Sequence, residues 1–223
     1  MHMVQEMKTL ATDQPITVEQ TVYTKGTKTR VEMKMPLPLD SAGGEPQTMQ
    51  TIMINDGSNA WIFSPLGEKK QLSPEEAKQY EPSRNCWGFF PDNARVIGSD
   101  SAQGRDCYIV ELEDEGVLTR LWLDKSDFIP VQGQTHDSTG AMQYHWVHSD
   151  FHKIRGQWEY PYMTKMYNGD TLTVQMSVTS LEVNQGLSDE LFNPDSVRMK
   201  PLNLNLQDLM KMMVAPADSD SAR

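Results

Sequence analysis

Cysteine is scarce in this chain. Cys86 and Cys107 are the only two in 223 residues, and their spacing fits no zinc-binding pattern. In an oxidising compartment they could form one disulfide, whose loop of about 20 residues would contribute on the order of 3 kcal/mol. In a reducing compartment they would be two buried thiols. No uninterrupted apolar run approaches the roughly 18 residues a membrane-spanning helix needs. Apolar residues make up only 38% of the chain, and mean hydropathy is −0.57. Basic residues are also short, 20 against 31 acidic, for a formal charge of −11. That balance argues against nucleic acid as a partner and fits a soluble acidic surface. The opening "MHMVQEMKTL" lacks the basic segment and apolar stretch of a signal peptide. Its "MHM" resembles a vector-derived scar, so an exported protein would have lost its signal before this point. G-x-S-x-G, a Gly-rich phosphate loop and a Cys–His pair with an orienting group are all missing, which leaves nucleophilic catalysis unsupported.

What the chain has is alternation. In "TRVEMKM", Val31, Met33 and Met35 oppose Arg30, Glu32 and Lys34, the two-residue period of a strand with one dry face. "PITVEQTVY" places Ile16, Val18 and Val22 together, interrupted by Gln20, with a turn at Lys25–Gly26–Thr27. "TIMINDGSNAWIFSP" reads as a hairpin turning at Asp56–Gly57, with Trp61 and Phe63 on one face. Further strands are expected in "ARVIGSD", "RDCYIVELED", "VLTRLWLD", "IPVQGQTHD", "AMQYHWVHSDF", "YPYMTKMYN" and "TLTVQMSVTSLEVN". Asn168–Gly169–Asp170 marks the last hairpin. The total is ten or eleven strands in meander order.

Helices are expected at two places. Ser73, Pro74 and the acidic pair Glu75–Glu76 form a helix start. Leu202, Leu206, Leu209, Met210 and Met213 have the spacing of an amphipathic helix over 202–214. The tail at 215–223 has a disordered composition. "NCWGFFPDN", with Trp87, Phe89 and Phe90, suits a segment tucked under a sheet, or a lid. The chain reads as one domain, with its core over about 4–195.

Two clusters invite chemistry. His136, His145, His148 and His152 lie close in sequence, but the odd separation of His145 and His148 puts them on opposite faces of a strand, and no metal site is expected. Glu111, Glu113, Asp114 and Glu115 read as a charged hairpin tip. Methionine is abundant, 15 residues, including Met33, Met35, Met142, Met166 and Met176 in strands. Such side chains either fill a core or form a surface that adapts to varied apolar partners.

The order of these pieces resembles a known family. "VYTKGTKTRVEM" is similar to the K-G-x-x-x-R-x-E strand pair of bacterial outer-membrane lipoprotein-sorting proteins, the LolA/LolB-like superfamily. The aromatic hairpin ending in Pro65 follows. "LWLDKSDFIPVQGQ", "HSDFHKIRGQWEYPYMTKMY", "TLTVQMSVTSLEVN" and "LSDELFNPD" come after it in the family's order, over about 16–195. The resemblance implies a mainly β fold, one strongly curved antiparallel sheet forming an unclosed half-barrel, with helices covering its concave side over an apolar cavity. It also implies a periplasmic carrier or receptor that holds lipoprotein acyl chains or another lipid. The chain departs from the carriers in beginning with strand-like sequence where they place an amphipathic helix, and in lacking a lipidation cysteine at its start.

By alternation, the expected cavity residues are Val31, Met33, Ile52, Ile54, Trp61, Phe63, Tyr144, Trp146, Val174 and Met176, with Arg30 as a polar contact. Neither cofactor, metal, nucleic acid nor catalysis is expected, and a monomer is. An alternative is an envelope sensor that uses the same fold to bind an inner- or outer-membrane protein partner.

Overall fold

The computed structural model describes residues 1–10, 15–37, 47–78, 93–114, 116–156, 158–199 and 202. Thirteen strands follow one another: β1 His2–Thr9, β2 Ile16–Lys25, β3 Lys28–Pro36, β4 Thr48–Asn55, β5 Ala60–Phe63, β6 Lys69–Leu72, β7 Arg95–Ala102, β8 Arg105–Asp114, β9 Val117–Asp124, β10 Pro130–His136, β11 Met142–Ile154, β12 Trp158–Asn168 and β13 Thr171–Glu182. All join one antiparallel sheet in the order β6-β5-β4-β3-β2-β1-β13-β12-β11-β10-β9-β8-β7. The sheet is not closed, and β6 and β7 are its edges.

The sequence reading of ten or eleven strands falls short by β1 and β6. β6 is short and polar, KKQL, so no alternation announces it. β1 contains the supposed scar. Met3 is buried, and the Met1 amino group donates to the Thr24 carbonyl at 2.6 Å. His2 stacks on Tyr23 with ring centroids 4.7 Å apart.

The hairpins form where turn chemistry allows. Asp56 Oδ1 accepts from the Ser58 and Asn59 amides at 2.9 Å, and Gly57 supplies φ +98°. The helix start at Ser73 is a capping box: the Glu76 amide donates to Ser73 Oγ at 3.2 Å, and the Ser73 amide donates to Glu76 Oε2 at 2.8 Å. The resulting helix α1, Pro74–Lys78, packs on β6. Two 3-10 turns, Asp189–Phe192 and Pro194–Ser196, complete the helical content of the described residues. Helical cover over a concave side is therefore not found among them. The helix expected over 202–214, the tail at 215–223, Cys86 and the Trp87–Phe90 cluster lie outside the described residues. Cys107 is a buried free thiol.

Register divides every strand between two faces. One carries Val31 and, across the ladders, Met3, Val22, Met53 and Ile62. These pack as a core cluster with Met33, Tyr160, Val178 and Leu181. We call it the methionine face. The other carries Arg30, Ile52, Ile54, Trp61 and Phe63. Over it runs a strap, residues 183–199. Val197 and Met199, like Trp61, pack on the buried Ile52, Ile54 and Phe63. Phe192 is 1% exposed. Arg30 Nη1 donates to the Leu191 carbonyl at 3.1 Å, and Lys28 pairs with Asp189 at 2.7 Å. Exposed pairs of the latter kind contribute little, so the apolar contacts hold the strap down.

The strap face also carries a second cluster, of buried Ala102, Cys107, Trp122 and Val131. Beside it, Arg105 of β8 donates to Asp124 Oδ2 at 2.9 Å and to Glu159 Oε2 of β12 at 2.5 Å, with its guanidinium 4.1 Å above the Phe151 ring. In a flat sheet β8 and β12, four strand spacings apart, would be about 19 Å from each other. Two side chains do not span that distance. The sheet must bend over this face here.

Candidate ligand-binding face

The methionine face is built in rows, because antiparallel register sets each side chain beside its cross-strand partners. One row runs Val96, Val110, Leu121, Gly133, Trp146, Met166, Val174 and Thr9, from β7 across to β1. It is apolar in all eight strands save for the terminal threonine. A parallel row holds His148, Thr164, Met176, Met7 and Val18. The polar interruption at Gln20 is answered by Gln5, whose side-chain amide donates to it.

Six of the ten expected cavity residues fall on this face: Val31, Met33, Tyr144, Trp146, Val174 and Met176. Ile52, Ile54, Trp61 and Phe63 fall on the other, under the strap. Alternation shows which residues share a face within a strand. It does not show that a segment more than a hundred residues away covers that face. Arg30 also lies on the strap face, where it donates to Glu32 at 2.7 Å as well as to Leu191.

The expected cavity residues do not include Gly133, Met166, Met7 or His148, although Met166 is among the strand methionines and His148 among the clustered histidines read from the sequence. A glycine inside the strand "PVQGQTH" was the available signal, since such a glycine marks a close approach. A Cβ placed on Gly133 would lie 2.6 Å from the Trp146 ring. The indole therefore lies flat over β10 and forms the floor of the face. Gly133→Ala should displace Trp146 and cost about 2 kcal/mol by overpacking. A change in tryptophan emission together with a lowered denaturation midpoint would show it, and an unaltered emission spectrum would refute it.

His148 sits beside Trp146, ring centroids 4.4 Å apart, and shares a 2.8 Å hydrogen bond with Thr164 Oγ1. Burial pushes its imidazole down from 6.5 to about 4. It is neutral at physiological pH and contributes no charge to this apolar face. The unfolded chain takes up a proton near pH 6.5 that the folded chain refuses until about pH 4. Stability should therefore fall across that window as pH drops, by up to roughly 3 kcal/mol. His148→Gln should flatten this loss in urea titrations at pH 7 and pH 4.5. An equal acid sensitivity in both proteins would exclude the assignment.

The other histidines are dispersed. His145 stacks on Tyr167 on the strap face, and His152 on Tyr162 on the methionine face. Glu111 departs from the hairpin-tip reading. It is buried, and the Arg95 and Arg120 guanidinium groups, at 2.7 and 3.0 Å, hold its carboxyl below the ordinary range.

An open antiparallel sheet of this strand order has the LolA-like fold. The chain aligns with a LolA superfamily protein from Nitrosomonas europaea at TM-score 0.60 and 17% identity, over 88% of this chain and 91% of that one. It aligns with a domain ascribed to an outer membrane lipoprotein-sorting protein from Vibrio parahaemolyticus at TM-score 0.59 and 16% identity, over 87% and 89%. A DUF1329 family protein from Desulfovibrio piger matches at TM-score 0.56 and 14% identity, over 88% and 90%. At these identities the likeness is one of fold. A protein-family model described as "-like: Uncharacterized protein" matches residues 91–199. No curated protein matches the sequence.

Proposed function

We propose that this protein is a periplasmic binder of acyl chains, carried on a lipid or a lipoprotein, that works by holding its ligand along the methionine face without a catalytic step. The observation that carries this reading is the apolar row from Val96 to Val174, which continues across neighbouring strands with no ionised side chain. The likeness to lipoprotein-sorting structures supports it. A buried methylene stabilises a bound chain by about 0.8 kcal/mol, so half an acyl chain gives useful affinity. Methionines such as Met166 and Met176 can adjust to chains of different length and unsaturation.

The experiment is native mass spectrometry on protein purified without detergent, followed by organic extraction. Co-purified phospholipid, or uptake of an added fluorescent fatty acid, is expected. A bare chain mass with no uptake would exclude the reading.

A further inference from the structure

The two edges of the sheet are unlike. β6 is four residues long, carries Lys69 and Lys70, and has α1 beside it. Short, lysine-bearing edges resist pairing with another chain. β7 is eight residues long and exposed from Arg95 to Ser101, with Val96 62% and Ile97 45% exposed. Its irregularity is a bulge: Val96 lies opposite Val110, yet Gly98 lies opposite Ile109. The extra residue shifts the alternation by one. Arg95, opposite Glu111, and Asp100, opposite Cys107, both fall on the strap face, while Val96 and Ser99 both fall on the methionine face.

That shift selects the occupant. A regular strand alternates without interruption and would lose register with β7 at the bulge. A second copy of β7, running antiparallel, carries the same extra residue at the same point. We propose that two copies of the chain pair β7 to β7 about a twofold axis, joining their sheets edge to edge. In the register centred between Ile97 and Gly98, Arg95 faces Asp100 of the partner subunit and Val96 faces Ser99 of the partner subunit. Every such pair lies on one face, as antiparallel pairing requires. Arg95 is bonded to Glu111, but its side chain is 71% exposed and a guanidinium has five donors, so it can serve both carboxylates. Ile97 meets Gly98 of the partner subunit, where a Cβ would touch nothing within 4 Å. The pairing is isologous and therefore stops at two copies.

The test is sedimentation equilibrium on the full chain and on two charge variants. The parent protein should dimerise with concentration. Arg95→Asp and Asp100→Arg should each weaken self-association roughly tenfold, because like charges then face each other. Mixed one to one, the two variants should form a heterodimer, since both opposed pairs are again of opposite sign. Val96→Cys combined with Ser99→Cys should give a disulfide-linked dimer on non-reducing gels. A parent that stays monomeric to about millimolar concentration, or folded variants that fail to associate when mixed, would overturn the proposal.

Discussion

Arg105→Ala should lower stability by about 3 kcal/mol, the scale seen when one member of a withdrawn ion pair is removed. The change would strand Asp124, whose side chain is only 10% exposed, and Glu159. Burial pushes the Asp124 carboxyl up, but hydrogen bonds from Ser126 and Arg105 outweigh it and hold the group below the usual carboxylate range. That stabilisation is present above pH 4 and is lost as pH falls through the lowered value. It should therefore shrink in acid in the parent and be reduced in the variant. Arg105→Lys should recover only part of the loss, because an ammonium lacks the fork that reaches both carboxylates. For a chain of this size the alanine variant should melt about 10 °C lower. A shift under about 2 °C would mean that the bend over the strap face does not depend on this contact.

Met176→Asp should sharply weaken acyl-chain binding while leaving the sheet intact. Met176 lies mid-face between Met7 and Thr164, with its backbone paired on both sides to β1 and β12. A carboxylate there must either stay hydrated, which an apolar ligand prevents, or lose its charge. A loss of roughly 100-fold in affinity is expected from that desolvation. Trp146→Asp should behave alike. Ile54→Asp is the contrasting change: it lies beneath the strap, so it should destabilise the fold. Fluorescent fatty-acid titration beside far-ultraviolet circular dichroism separates the two cases. Unchanged affinity in both methionine-face variants would remove the ligand from this face.

Strand positions were legible because one wet and one dry face produce an alternation that survives in the sequence. Val31, Met33 and Met35 against Arg30, Glu32 and Lys34 is such a case. The hairpin turns were legible because Asp56–Gly57 and Asn168–Gly169 have few other uses. β1 was not, because "HMVQEMKT" gains its strand identity from β2 and β13 on either side. The membership of the candidate face was half legible. Trp146, Val174 and Met176 could be found by period alone. Ile54 and Phe63 have the same period, and only the fold of the distant strap distinguishes them. The Arg105–Glu159 contact joins residues 54 apart and left no local trace.

The place of β1 has a consequence for how the chain reaches this state. It sits at the middle of the sheet, between β2 and β13, so β1 waits for a strand made long after it. Until Thr171–Glu182 arrives, one side of β1 has no partner, and the β1–β6 half is a meander with an open seam. Loop closure on that scale slows folding, and an exposed seam is a site for wrong pairing. During synthesis that seam stays open until the β12–β13 hairpin docks on β1. Mutations that speed the β12–β13 hairpin, such as strengthening its Asn168–Gly169 turn, should then raise the yield of folded protein more than equal stabilisation of the β2–β3 hairpin.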